Sequence, residues 1–244
     1  MTPTPRRALV TGGASPLGQA ICRRLAADGL HVAIHAHANL AGAQSLAAGI
    51  TAGGGSAEAL ACDLSDFGAT AAALAALLAA GPFQVLVHNA GTHADAPMAG
   101  MTEGQWRGVV DVSLNGFFAA CRPLLLPMMG TRWGRIVAVS SVSAVTGNRG
   151  QANYAAAKAG LVGAVRSLAR EVASRGVTAN AVAPGIIASP ATEAAGLDAK
   201  RIAEIVPMRR AGTAEEVADL IGFLASDRAG YITGQCISIN GGMA

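Results

Sequence analysis

Tyr154 and Lys158 stand four residues apart in "GQANYAAAKAGL" (150–161), so on a helix both project from one face. An unperturbed tyrosine titrates near about pH 10 and is a slow proton donor at neutrality. An ammonium one turn away favours the phenolate and is expected to bring the phenol towards a working pH. Ser141 lies thirteen residues before Tyr154, just after the apolar run "GRIVAVS" (134–140). A hydroxyl at such a strand end can hold a carbonyl oxygen beside the phenol. Together the three groups suit proton transfer to a carbonyl or from an alcohol. Ser143 is a second hydroxyl close by and reads as structural. Tyr and Lys at this spacing also occur by chance on surface helices, so the set gains its weight from a second motif.

That motif is "ALVTGGASPLGQAI" (8–21), an apolar strand entering a glycine-rich turn and then a helix. In a doubly wound fold this turn binds the pyrophosphate of a dinucleotide. Its glycines allow a tight turn and close backbone approach, and the helix N-terminus attracts negative charge. Gly12, Gly13 and Gly18 are present, with Pro16 among them. Proline at the first helical position loses only an N–H that would be unpaired, and its fixed φ suits a helix start. It pushes Ser15 towards extended geometry. The backbone donors expected to remain for phosphate are those of Ser15, Leu17 and Gly18.

Nucleotide choice falls to the end of the second strand, "HVAIHAHANLAG" (31–42). An acidic residue there would accept from the ribose hydroxyls of NAD and repel the extra phosphate of NADP. The stretch holds His35, His37 and Asn39 and no Asp or Glu, which favours NADPH. No arginine is placed to pair with the phosphate, so His37 or Ser15 is left to assist. A metal site at His35 and His37 is not expected, because an H-x-H pair lacks further ligands.

The elements that position these groups alternate along the chain. Strands are expected at 7–11, 31–35, 56–62, 83–88, 134–140, 176–182 and 236–239. Helices are expected at 18–28, 66–80, 103–129 and 153–174. This alternation predicts an α/β fold, a doubly wound parallel sheet with helices on both faces, in a single domain over 1–244. Residues 189–210 carry two prolines and mixed polarity, and serve equally as a substrate flap or a surface loop. With 244 residues, 52% of them hydrophobic, one large core can form. A net charge of +3 and 4% aromatic residues argue against nucleic-acid binding. Cys22, Cys62, Cys121 and Cys236 are dispersed without C-x-x-C spacing, as in a reducing compartment. No span and no export signal is read, so a cytoplasmic location is expected.

Taken together the motifs resemble the short-chain dehydrogenase/reductase family, and within it the 3-oxoacyl-(acyl carrier protein) reductases. The markers are "VTGGASPLG" (10–18), "CDLSD" (62–66), "HNAG" (88–91), Ser141/Tyr154/Lys158, "NAVAPGII" (180–187) and "YITGQCISINGGM" (231–243). The stretches 150–161 and 168–185 are especially close to that subgroup. Enoyl reductases space the Tyr and Lys further apart, which counts against that branch.

The resemblance implies roles. Asp63 and Leu64 border the adenine. Asn89, Ala90 and Gly91 support the ribose side, and Pro184, Gly185 and Ile187 line the nicotinamide. Tyr154 protonates the substrate oxygen, Lys158 holds the ribose hydroxyls and tunes Tyr154, and Ser141 positions the carbonyl. Where the family has a helix asparagine steadying a water beside the lysine, this chain has Ser113, whose shorter reach predicts slower proton resupply. Arg132 and Arg175 match the family's docking positions for the acidic acyl carrier protein and are expected beside the mouth of the site. The segments 91–101 and 189–210 are expected to shape the substrate pocket. A homotetramer is implied, with the long helices and the last strand at its interfaces. The activity expected is NADPH-dependent reduction of a 3-oxoacyl thioester in fatty-acid, polyketide or pigment biosynthesis. A dehydrogenase of a free alcohol, and a non-catalytic subunit of a hetero-oligomeric reductase, stand as alternatives.

Overall fold

The computed structural model describes residues 5–194 and 196–244. Seven parallel strands form one sheet in the order β3-β2-β1-β4-β5-β6-β7. They are β1 (Arg7–Thr11), β2 (His31–Ala36), β3 (Ser56–Ala61), β4 (Val85–His88), β5 (Gly134–Val139), β6 (Val177–Pro184) and β7 (Cys236–Ile239). All seven expected strands are present, with ends shifted by a residue or two. The strand order reverses between β1 and β4, and in such sheets the crevice beyond the strand ends at that reversal receives the ligand.

Side chains alternate across each strand, so both faces carry an apolar layer. One layer joins Val10, Ile34 and Val87 to α1 (Pro16–Ala27), α2 (Leu40–Ala52) and α10 (Ala214–Leu224). The other joins Leu9, Leu86 and Ile136 to α3 (Phe67–Leu78), α5 (Gly116–Gly130) and α7 (Ala152–Val172). The helix expected over 103–129 is instead α4 (Glu103–Val110), a π-helical turn over Asp111–Asn115, and then α5. This continuous run is long and apolar enough by composition to cross a membrane, but Val109, Phe117, Ala120, Leu124 and Met128 lie buried in the fold.

Helices α2 and α10 were not expected. The sequence of α2, "LAGAQSLAAGITA", lacks charges and has little polar contrast between its faces, so its period is faint. Helix α10 does carry a legible start, a capping box in which Thr213 and Glu216 exchange side-chain and backbone bonds. Residues 189–210 contain two short helices, α8 (Pro190–Ala194) and α9 (Ala199–Ile205), and α6 (Ser143–Thr146) follows β5. The four cysteines are unpaired, and burial pushes the Cys22 and Cys121 thiols up to about 12.

Candidate active site

Helix α7 is fastened to the end of β5 at the residues that matter. The Ser140 Oγ donates to the Lys158 carbonyl at 2.8 Å, and Lys158 Nζ donates to the Val139 carbonyl at 2.8 Å. The wholly buried Asn153 donates to the carbonyls of Ala94 and Gln105, both at 3.0 Å, while its Oδ1 accepts the Tyr154 N–H at 2.8 Å. Tyr154 is thereby set against the loop after β4. Its hydroxyl shares a hydrogen bond with Ser141, whose Oγ also accepts the Ser143 N–H at 3.2 Å. The three groups named from the sequence therefore meet at the carboxyl edge of the sheet.

The electrostatics differ from the expectation for Tyr154. Burial pushes its phenol above the ordinary value, the Ser141 hydrogen bond pulls the other way, and the nearby Asp95 carboxylate adds to the rise. The Lys158 ammonium lies 5.7 Å from the ring centre, and burial pushes Lys158 itself down to about 8. Tyr154 is thus held as a protonated acid near neutrality, the form that can give a proton to a carbonyl oxygen.

Ser113 lies in the π-helical turn, and its Oγ is buried with no hydrogen-bond partner among the described residues. A buried hydroxyl in that condition calls for a water or ligand atom. The space is beside Gly91, where a Cβ would come within 3.0 Å of Lys158 Nζ and 3.3 Å of Ser113 Oγ. The turn is held by His88, whose Nε2–H donates to the Ser113 carbonyl at 2.9 Å while Nδ1 pairs with Thr11 Oγ1 at 3.0 Å. Thr11 Oγ1 in turn accepts the Asn89 and Ala90 N–H groups, both at 3.1 Å. Burial, reinforced by Lys158, pushes His88 down to about 3, so it is neutral. Its part was not legible, since a histidine before "NAG" looks like any core histidine.

On the other side of the crevice, Pro16 occupies the first turn of α1 and Ser15 is extended (φ −72°, ψ 159°). The proline is therefore accommodated without distortion of the helix start. The donor inventory requires a correction. The Ser15 N–H is bound to the Gly12 carbonyl at 3.2 Å, and the Gly18 N–H to Ser15 Oγ at 3.1 Å. Of the three expected donors only that of Leu17 has no partner among the described residues. Gly12 sits at φ +62°, where a Cβ would meet the Ala90 backbone at 3.0 Å. Its carbonyl also accepts from Asn89 Nδ2 at 2.9 Å, so β4 and the turn form one surface.

His37 is exposed, with its Nδ1 3.8 Å from Asp63. Ser65, through its hydroxyl and its N–H, holds the Asp63 carboxyl below the usual range. Leu64 is buried beside it. His35 is buried with both ring nitrogens in hydrogen bonds, leaving neither for a metal. Pro184 ends β6 and Gly185 follows it, where a Cβ on Gly185 would strike Asn240 at 2.8 Å, and Ile187 bridges to Gly212. This crevice has the donors and the close-approach glycines that a nicotinamide dinucleotide needs.

A cleft of about 500 Å³ opens over Ser141 and Tyr154. His93 and Asp95 line one side, and Thr192, Leu197 and Ile205 of the 189–210 segment another. Gln151, Asn148 and Met243 also reach it and were not singled out from the sequence. Gln151 Nε2 donates to Asp95 at 2.8 Å and its Oε1 accepts from Ser143 and Asn148 at 3.2 and 3.0 Å. Their signal was faint because each is an ordinary loop or helix-start residue.

The placement of Arg132 and Arg175 is also corrected. Both are exposed, but they precede β5 and β6, whereas Ser141 and Gly185 follow those same strands. The strands are parallel, so the two arginines lie together at the opposite edge from the cleft. They are close to each other because Gly176, at φ +75°, lets the Arg132 carbonyl approach its backbone.

The crossing of a glycine turn, a Ser–Tyr–Lys set and a seven-stranded parallel sheet defines a nicotinamide-dependent oxidoreductase, and the chain belongs to the short-chain dehydrogenase/reductase family. Residues 12–244 match the family model described as Enoyl-(Acyl carrier protein) reductase. Among individual relatives, the 3-oxoacyl-[acyl-carrier-protein] reductase FabG of Escherichia coli is 42% identical over 97% of this chain and 96% of its own. The 3-oxoacyl-[acyl-carrier-protein] reductase of Synechocystis sp. is 40% identical over 98% and 97%. Nodulation protein G of Azospirillum brasilense is 40% identical over 97% of each chain. The family description and the relatives' names point to different double bonds.

Proposed function

We propose that this enzyme reduces a 3-oxoacyl thioester, carried by an acyl carrier protein, to the 3-hydroxyacyl form with NADPH. The observation that carries the proposal is that Ser141 and Tyr154 line one cleft, with Lys158 buried behind Tyr154 and its Nζ 5.7 Å from the ring centre. NADPH supplies the hydride when bound. The Leu17 N–H and Ser15 would hold its pyrophosphate, Asp63 and Leu64 its adenine, Asn89–Gly91 and Lys158 its ribose, and Pro184–Ile187 its nicotinamide. The absence of a carboxylate on the end of β2 favours the 2′-phosphate, with His37 and Ser15 as its neighbours. Ser141 holds the carbonyl oxygen, and Tyr154 gives it the proton. Lys158, with two N–H donors beyond the one on Val139, and Ser113 resupply that proton through the space beside Gly91.

The pair Arg132 and Arg175 suits docking of an acidic carrier. At the far edge of its own sheet it serves the cleft of a neighbouring copy, which requires an oligomer. A groove of about 820 Å³ on the outer side of α3, α5 and α7 supports a homotetramer, with Phe67, Phe118 and Leu126 exposed along it. Apolar exposure of this extent marks contact surfaces. The setting we infer is cytoplasmic fatty-acid, polyketide or pigment biosynthesis. The test is NADPH oxidation with an acetoacetyl thioester, run beside Tyr154→Phe. Oxidation that falls by about 10²–10⁴ in the variant supports the assignment. Silence of the wild type, with carrier-bound substrate as well, points to a non-catalytic subunit.

A further inference from the structure

Among buried groups that the proposed chemistry leaves unused, His35 has the most definite surroundings. It lies in β2, 3% exposed, beneath the glycine turn. The Gly12 N–H donates to its Nδ1 at 3.2 Å, and its Nε2 stands 3.0 Å from the Cys62 carbonyl. An N–H donor at Nδ1 and a carbonyl at Nε2 leave one consistent arrangement, the neutral ring with its proton on Nε2. The main chain of the same residue takes a third contact, because the Gly13 N–H donates to the His35 carbonyl at 2.8 Å. One residue thus fixes the first two amides of the turn. Through Cys62 it also fixes the segment leading into Asp63 and Leu64.

We propose that His35 is a positioning residue for the dinucleotide, coupling the phosphate turn to the adenine wall through its neutral ring. The inference rests on the assignment of this crevice to NADPH. Gly12 is pinned on both sides: its carbonyl accepts from the Ser15 N–H, Ser15 Oγ and Asn89 Nδ2, and among the described residues its N–H is held by His35 alone. Without the ring the Thr11–Gly12 peptide loses this restraint on its N–H and can rotate, and the Ala90–Gly12 surface loses its shape. A turn already short of one amide at Pro16 depends more on such bracing.

The arrangement also makes binding sensitive to acid. A second ring proton would place Nδ1–H against the Gly12 N–H, donor to donor. The titratable groups facing His35 are His37 beyond the end of its own strand, Cys62 and Asp63 after β3, and His88 at the end of β4. Burial dominates among their effects and favours the neutral ring. Uptake of a proton is therefore resisted until below the ordinary histidine range, and there it is expected to cost affinity for the dinucleotide.

The experiment is titration of the protein with NADPH by nucleotide fluorescence, for wild type, His35→Val and His35→Asn, between pH 5.5 and about 8. Valine suits a buried strand but makes neither bond, whereas the asparagine amide can still accept the Gly12 N–H. The expected result is a Kd raised roughly tenfold in the valine variant and partly restored by asparagine. The loss should appear in KM for NADPH more than in kcat. The acid weakening of the wild type, at the low end of this range, should diminish in both variants. Imidazole ¹⁵N shifts of the free protein should show Nδ1 unprotonated and Nε2 protonated. Equal Kd values and pH profiles across the three proteins would overturn the proposal, as would a protonated Nδ1 at neutrality. If valine prevents folding, the asparagine variant and the tautomer decide. Failure of the wild type to bind NADPH would instead remove the cofactor assignment itself.

Discussion

At the edge where the strands end, polar groups are buried and matched nearly one to one. Lys158 is set on Val139, Ser140 on Lys158, His88 on Ser113 and Thr11, and His35 on Gly12 and Cys62. At the edge where they begin, charge is layered, with Arg135 buried and Arg6, Asp227, Arg132 and Arg175 exposed. The Arg6 and Arg135 guanidinium groups lie 3.6 and 4.2 Å from the Trp133 ring centre, and the indole N–H and Arg6 both donate to Asp227. Arg132 and Arg175 stand beside them at the same edge. The difference teaches where each kind of group does its work. Burial changes proton affinities by large amounts, whereas exposed charge acts mainly through long-range, salt-screened attraction. One edge is fitted for chemistry, the other for meeting a partner.

Removing a group from the buried edge should produce the largest effect. Besides Tyr154→Phe, the substitution Lys158→Met is expected to lower kcat with a small thioester by about 10²–10⁴. It should do so without loss of thermal stability, because it deletes an ammonium whose burial is unfavourable. Calorimetry beside kinetics checks this, and a variant that melts well below wild type would break the contrast.

The sign of the pH dependence follows from the same group. Lys158, at about 8 in the folded chain, is lowered from its ordinary value of 10.5. Reduction should therefore decline as pH rises through about 8, while this lysine's contribution makes the fold more stable between about 8 and 10.5. A reductive profile flat to pH 9.5 would mean that the Lys158 charge is not needed.

Smaller effects sharpen the comparison. Ser113→Asn should raise kcat a few-fold and reduce the solvent isotope effect, since a longer side chain reaches the space beside Gly91 without an intervening water. An unchanged rate and isotope effect would exclude Ser113 from proton resupply. At the other edge, Arg132→Glu with Arg175→Glu should weaken reduction of a carrier-bound substrate roughly tenfold, more at low salt, and spare a small thioester. Equal loss on both substrates would sink the docking role. The smallest change is Trp133→Ala, which should cost about 1–2 kcal/mol of stability by removing two cation–π contacts, with small-thioester turnover untouched.

Much of this molecule is written locally. Alternating apolar runs and helical stretches specify the parallel sheet, because side-chain period is a property of neighbouring residues. The Tyr154–Lys158 spacing, Ser141 at a strand end and the glycines before Pro16 are legible for the same reason. The π-helical turn at 111–115 was not, since one extra residue in a helical turn leaves the apolar pattern almost continuous. Helix α2 escaped because its small residues barely distinguish two faces.

What only the tertiary structure decided is the setting of these residues against distant ones. That Arg132 and Arg175 share the edge away from Ser141 follows from strand pairing across the sheet. That Lys158 falls to about 8 while Tyr154 rises follows from how deeply both are covered. That His35 braces Gly12, 23 residues away in sequence, depends on β1 and β2 lying side by side. Types and spacings fix which groups are present. Desolvation and long-range pairing, which no short stretch of sequence contains, fix their proton affinities and their partners.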